Sequence, residues 1–227
     1  MSYKVNEEFS ADCGFRVDAA DVLHAATLTN RVLCDLPASL FRSIDFKTSS
    51  AVVGAIYCEH LADRTRSIVN PIEKGHPDIL PSAAAGAAEA TLRNYHCGLE
   101  IKSTIGNIAQ GANLRAGARR LEQMVGITWQ AHHRDVRSLM GIAWDFVQRR
   151  EAFNYPAITG LFYSNDLREE DWGEISGTTG RNTKVCGMRT SGRAKMGAGW
   201  VLLWDDEGYI EMFRRHFPSI VLPAHRR

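Results

Sequence analysis

Three apolar runs rich in strand-forming residues limit most strongly how this chain can fold. They read LMGIAWDFV at 139–147, AITGLFY at 157–163 and WVLLW at Trp200–Trp204. Each run is far shorter than the roughly 18 residues needed to cross a bilayer, so we predict buried strands and no membrane partner. Amphipathic stretches at 19–31 and 51–65 precede them and favour helices. The pattern predicts an α/β protein with a central mixed β-sheet flanked by helices.

The chain has 227 residues, 44% of them hydrophobic, and can bury a core without metal ions or disulfides. We predict a single domain over 1–227, with a mostly helical part at 1–50. The five cysteines include no C-x-x-C pair, which indicates free thiols in a reducing compartment. Together with a polar, acidic start that is unlike a secretion signal, this favours a cytoplasmic location.

The segment with the clearest chemistry is Pro77-Asp78 followed by Glu100-Ile101-Lys102. Side chains alternate along a strand, so Glu100 and Lys102 are expected on one face while Ile101 points into the core. Asp78 opens a short apolar stretch, and we expect it at the mouth of a neighbouring strand. Two carboxylates and the carbonyl of Ile101 would form an oxygen site of the kind that suits Mg²⁺. Lys102 would orient the attacking water or balance charge on a phosphate.

A Pro-Asp pair followed by Glu-x-Lys on an apolar strand resembles the PD-(D/E)XK nuclease superfamily, especially the type II restriction endonucleases. Pro77, Asp78, Glu100 and Lys102 match this motif without substitution. The resemblance covers roughly 51–163 and implies a restriction-endonuclease-like core with Asp78, Glu100 and Lys102 as catalytic residues. Many members also place an acidic residue on the preceding helix. Here that position is Glu59, which would join Asp78, Glu100 and Ile101 at the metal.

The activity that this resemblance implies is Mg²⁺-dependent hydrolysis of DNA phosphodiester bonds, leaving 5′-phosphate ends. In a restriction–modification system, such an enzyme often acts as a homodimer on a short palindromic site in double-stranded DNA. A repair or recombination nuclease of the same fold shares the motif, and a DNA-binding protein of this fold that does not cleave is a third alternative. The sequence contains no G-x-S-x-G nucleophile elbow and no G-x-G-x-x-G after a strand, which disfavours serine hydrolases and dinucleotide enzymes.

Charge is segregated along the chain, although the net charge is only +1. The segment 176–199 is basic and contains no acidic residue, whereas 165–175 is strongly acidic. We predict that the basic segment is a loop that contacts DNA, because arginine can pair with guanine, asparagine with adenine, and lysine with phosphate. Its candidate DNA-binding residues are Arg181, Asn182, Lys184, Arg189, Arg193 and Lys195.

Two adjacent histidines, His132 and His133, lie in the sequence WQAHHR. Adjacent side chains splay apart on most backbones, and no second cluster completes a zinc pattern. We therefore interpret these histidines as phosphate-contacting or structural residues.

Overall fold

The fold is described from a computed structural model, which covers residues 1–105, 121, 124, 127, 129–150, 153–176 and 184–223. The strands are β1 (Tyr3–Val5), β2 (Ser10–Asp12), β3 (Arg16–Asp18), β4 (Ile68–Val69), β5 (Ile79–Leu80), β6 (Glu100–Thr104), β7 (Trp129–Gln130), β8 (Leu139–Arg150), β9 (Phe153–Ser164), β10 (Trp172–Ser176), β11 (Val185–Met188) and β12 (Trp200–Trp204). The helices are α1 (Ala19–Asp35), α2 (Ala38–Ser43), α3 (Phe46–Thr65), α4 (Glu89–Leu92), α5 (Thr190–Ala198) and α6 (Glu207–His216). Short 3₁₀ turns span Ser82–Ala84, Ala131–Arg134 and Glu169–Asp171.

A five-stranded mixed sheet forms the centre of the fold, with strand order β1-β12-β9-β8-β6. Strand β6 runs parallel to β8, and the other neighbours in this sheet are antiparallel. The three apolar runs became β8, β9 and β12, which confirms the predicted α/β architecture with a mixed sheet flanked by helices. Strands β8 and β9 extend beyond the apolar runs because they pair with each other as one long hairpin.

The two faces of this sheet carry separate apolar cores. On one face, α1 and α3 pack against alternate sheet residues such as Ile101, Ile142 and Leu161. On the other face, α5, α6 and a small sheet of order β10-β11-β7 pack against residues such as Ala143 and Phe162. Among the described residues, no helix combines the length and the apolar character that a bilayer crossing requires.

Two regions differ from the sequence prediction. The part at 1–50 contains α1 and α2 as expected, but it also contains β1, β2 and β3, and β1 extends the central sheet by pairing with β12. These strands have three residues each, too few to show an alternating pattern. The described portion of 176–199 is not a loop. It forms β11 and α5, because Cys186 and Met196 are buried in the second core.

Candidate metal centre

Strand β6 presents its polar face as the sequence predicted. Ile101 points into the core beneath α1 and α3, as does Leu99 immediately before the strand. Glu100 and Lys102 lie on the opposite face, where Glu100 is only 2% exposed and Lys102 is half-buried. Burial lowers the pKa of the Lys102 amine, and the positive charge of Lys47 lowers it further. A buried acid and a partly buried base therefore lie two residues apart on an edge strand of the sheet.

Asp78 lies directly beside this strand. Its neighbour Ile79 exchanges two backbone hydrogen bonds with Leu99, of 3.0 and 2.9 Å. Gly98 permits this approach, since it adopts a φ of +145° and a Cβ there would lie 2.5 Å from the carbonyl oxygen of Ile79. The Asp78 carboxylate then accepts a 2.7 Å hydrogen bond from the backbone N–H of Ile101. Asp78 is thus fixed beside the residue that separates Glu100 from Lys102.

The environment of Asp78 disfavours its charged form. Burial is the larger cause, the negative charge of Glu100 adds to it, and together they raise the pKa of Asp78 to about 7. The hydrogen bond from Ile101 opposes this shift without cancelling it. A carboxyl group beside a second carboxylate in a desolvated site is a common arrangement at functional centres.

Glu100 is surrounded by imidazole groups. Its Oε1 lies 3.0 Å from Nε2 of His132 and 3.2 Å from Nδ1 of His76, while its Oε2 lies 3.3 Å from the same nitrogen of His76. Burial alone would raise the pKa of Glu100, but the hydrogen bonds from His132 and His76 outweigh it and lower the pKa to about 2. The hydrogen bond to Glu100 also raises the pKa of His76. Glu100 is consequently ionised at neutral pH.

His133 has a different role from its neighbour. Its Nδ1 accepts a 2.9 Å hydrogen bond from the backbone N–H of Gln130, so the neutral ring carries its proton on Nε2. That nitrogen lies 3.7 Å from Oε1 of Glu100. Burial, with the nearby His132, lowers the pKa of His133 to about 3, which keeps the ring neutral. Contrary to the expectation that adjacent histidines splay apart, both rings lie close to one carboxylate, because Ala131–Arg134 forms a tight 3₁₀ turn.

His76, Glu100 and His132 form a group whose ligand atoms all lie within 4.8 Å of one another. The expected Mg²⁺ ligands are arranged differently from this group. Glu59 is exposed on α3 and takes no part in it. One oxygen of Asp78 accepts the Ile101 hydrogen bond, and Glu100 is bonded to nitrogen donors. Mg²⁺ prefers oxygen ligands, whereas imidazole suits transition metals, so this donor set favours the latter.

The predicted DNA-binding residues differ in their exposure to solvent and in their bonding partners. Lys184 and Arg189 are exposed. Arg193 is half-buried and donates to Thr190, and Lys195 forms a 2.7 Å ion pair with the buried Asp171. Arg181 and Asn182 lie outside the described residues.

The basic segment lies next to the histidine turn. The carbonyl oxygen of Lys184 accepts a 3.0 Å hydrogen bond from the backbone N–H of Ala131, immediately before His132. Strand β11 then pairs with β7, which leads into the same turn. This pairing fixes the backbone of Lys184 close to that of the residue preceding His132.

His76 was not among the site residues predicted from the sequence, and the contact between His132 and Glu100 was not predicted either. The available signal for His76 was its position directly before the Pro77-Asp78 pair, which places it at the same end of β6 as Asp78. For His132, no local pattern indicates the contact, since Glu100 lies far from it in sequence and the turn joins them through tertiary structure.

Replacing Asp78 with asparagine is expected to stabilise the metal-free protein at high pH. The raised pKa means that Asp78 favours folding below pH 4 and that this contribution is lost as the pH rises through about 7. An asparagine side chain cannot ionise and keeps an oxygen to accept the Ile101 hydrogen bond. In EDTA, the melting temperature of Asp78→Asn should exceed that of the wild type by a few degrees at pH 8 and not at pH 4. A difference in melting temperature that is the same at pH 4 and pH 8 would contradict the raised pKa of Asp78.

A scan against protein-family models, a search of the curated proteins and a search of the solved structures each found no match to this chain.

Proposed function

We propose that this protein is a metal-dependent DNA endonuclease with a restriction-endonuclease-like core, and that Asp78, Glu100 and Lys102 form its catalytic centre. The observation that carries the proposal is the hydrogen bond from the backbone of Ile101 to the Asp78 carboxylate. It joins the two halves of the motif, which are far apart in the sequence, into one cluster of two carboxyl groups and an amine. A surface strand outside a functional site could carry a glutamate and a lysine as solvated charges. It would not need a second, buried carboxyl group beside them.

Lys102 is suited to act on the phosphate. Among the residues that the structure describes its amine forms no salt bridge, and the charges of Asp78 and Glu100 favour its protonated form. Partial burial increases the strength of any contact with a developing negative charge. We assign Lys102 the stabilisation of the phosphate oxygen or the orientation of the attacking water.

Glu100, ionised at neutral pH, would serve as an anionic ligand, and Asp78 would join it once the positive charge of a bound cation favours its ionised form. A divalent ion bound here would supply a water of lowered pKa and polarise the phosphoryl oxygen. Glu100 is held in place by its histidine partners, so its oxygens need little reorganisation when a substrate arrives. Asp78, fixed by the Ile101 N–H, brings a second carboxyl group to the same edge of the sheet.

Double-stranded DNA is the proposed partner. Lys184 and Arg189 offer exposed cations immediately before and after β11, and β11 is hydrogen-bonded to the strand that leads to His132. A phosphate backbone bound by these residues would pass close to the cluster. We further propose a homodimer acting on a short palindromic site in the cytoplasm as part of a restriction–modification system, because two symmetric cuts need two related active sites.

Digestion of a large, sequenced, unmethylated DNA tests this function. We expect discrete fragments in the presence of Mg²⁺ or Mn²⁺, no cleavage in EDTA, and no cleavage by Asp78→Ala. Asp63→Ala is a matched control, since it removes an acidic residue from α3 outside the cluster and should cleave like the wild type. Circular dichroism of each variant verifies folding.

The pattern of products separates the alternatives. Discrete fragments lost in Asp78→Ala would support a site-specific enzyme, and their ends would give its recognition site. A metal-dependent smear lost in the same variant would favour a repair or recombination nuclease. Specific DNA binding without cleavage in either metal would contradict the nuclease proposal and favour a non-cleaving DNA-binding protein.

A further inference from the structure

A pair of imidazoles meets one buried carboxylate at the edge of β6, and this combination is not part of the motif that suggested a nuclease. His76 precedes the Pro77-Asp78 pair, Glu100 begins β6, and His132 lies on the 3₁₀ turn after β7. The two rings are stacked, with their centroids 4.1 Å apart and an angle of 27° between their planes. Stacked rings whose nitrogens both approach the same carboxylate form a preorganised chelating group.

We propose that His76, Glu100 and His132 bind a single divalent metal ion of the Zn²⁺ or Co²⁺ type in preference to Mg²⁺. The inference concerns the same site as the proposed nuclease, and it rests on that function only for the ion's role in cleavage. Two imidazole nitrogens and one carboxylate oxygen are a donor set that first-row transition metals accept. Mg²⁺ takes oxygen ligands and retains most of its water instead.

The distances support chelation. Bonds of about 2.0–2.2 Å at angles between tetrahedral and right-angled place neighbouring ligand atoms roughly 2.8–3.6 Å apart. The separations of Glu100 Oε1 from the two histidine nitrogens, 3.0 and 3.2 Å, fall within this range. The two histidine nitrogens lie within 4.8 Å of each other. An ion would enter by drawing the two rings together, replacing the hydrogen bonds that the imidazoles donate to Glu100.

His133 completes the arrangement without joining it. Its Nδ1 is engaged by the Gln130 N–H, so Nε2 carries the proton and has no lone pair for a metal. That nitrogen lies 3.7 Å from Oε1 of Glu100. That distance is longer than a hydrogen bond, so His133 lies beside Glu100 without binding it.

The site is open on one side. His76 and His132 are 27% and 32% exposed, whereas Glu100 is 2% exposed. Three protein ligands with an exposed side leave positions for water or substrate, which is typical of catalytic and not of structural metal sites. The ligand that this site would take at its free positions is an oxygen of water or of a phosphate.

Metal titration tests the inference without reference to DNA. EDTA-stripped protein of residues 1–227 is titrated with ZnCl₂ by calorimetry, and with CoCl₂ while visible absorption is recorded. We expect one equivalent bound, cobalt bands of imidazole coordination, and affinity for Zn²⁺ at least about 100-fold above that for MgCl₂. His76→Ala and His132→Ala should each lose at least about 10-fold in Zn²⁺ affinity. His24→Ala, an exposed histidine on α1, is the matched control.

The outcomes are distinct from those of the digestion. Stoichiometric Zn²⁺ and Co²⁺ binding that weakens in both histidine variants would support the site even if no DNA is cut. Absence of Zn²⁺ and Co²⁺ binding by the wild type would overturn it, and that measurement needs no variant to fold. Equal binding in the wild type and both folded variants would also overturn it, as would Mg²⁺ binding of equal strength. In these cases the nuclease proposal survives if Mg²⁺-dependent cleavage is observed.

Discussion

Lys102→Ala is expected to reduce metal-dependent DNA cleavage at least about 100-fold while DNA affinity changes far less. Removing a single group that stabilises charge in the transition state typically costs this much in rate. The substitution should not weaken the fold. Burial and Lys47 lower the pKa of Lys102, which means that the folded protein disfavours its charge. The melting temperature should therefore stay constant or rise. Single-turnover cleavage rates and DNA binding in EDTA measure the two effects.

A matched lysine lies on the opposite edge of the same sheet. Lys4 on β1 forms a 2.9 Å ion pair with Asp205, far from β6 in the strand order. Lys4→Ala should cleave at the wild-type rate. Lys102→Met retains the apolar stem and should be as inactive as the alanine variant. Full activity in either Lys102 variant would remove this residue from the mechanism.

Gly199→Ala is expected to destabilise the protein by about 3 kcal/mol or more. A Cβ at this position would overlap the carbonyl oxygen of Tyr163. That oxygen cannot move away easily, because the N–H of Tyr163 donates a 2.8 Å hydrogen bond to the carbonyl of Gly199, and the adjoining residues hold β9 and β12 in register. Overpacking against fixed backbone lies at the severe end of single substitutions. The melting temperature should fall by on the order of 10 °C.

Gly187 provides the control for this effect. It lies on β11, and a Cβ there would meet no heavy atom within 4 Å. Gly187→Ala should change the free energy of unfolding by less than about 0.5 kcal/mol, since it adds a methyl group in open space. Similar melting temperatures for the two alanine variants would contradict the close contact between the backbone of Gly199 and β9.

The sequence predicted the parts of the fold that depend on local patterns. The apolar runs that became β8, β9 and β12 were recognisable because both faces of the sheet are covered by apolar cores. Strand β1 could not be foreseen, because three half-buried residues carry no periodic signal and their pairing with β12 joins opposite ends of the chain. Its existence is a consequence of tertiary structure.

The candidate site also has parts that local sequence patterns predict and parts that depend on tertiary structure. Alternation along β6 placed Glu100 and Lys102 on one face, and the proline before Asp78 indicated a turn at the neighbouring strand. The histidines were not predictable as partners of Glu100, since each reaches it through a different segment. Lys195, predicted to contact DNA, forms an ion pair with the buried Asp171, a contact that counting charges along the sequence cannot reveal.

The parallel pairing of β6 and β8 has a consequence for heat tolerance. Parallel neighbours require a crossover connection, and the turn that carries His132 belongs to this connection, whereas Glu100 belongs to the sheet itself. Connections generally open at lower free energy than sheets do. Loosening of the turn would withdraw one ligand while the sheet stays folded. We therefore expect metal-dependent function to decrease on warming before the protein unfolds cooperatively. The highest temperature at which the protein functions should then lie below its melting temperature.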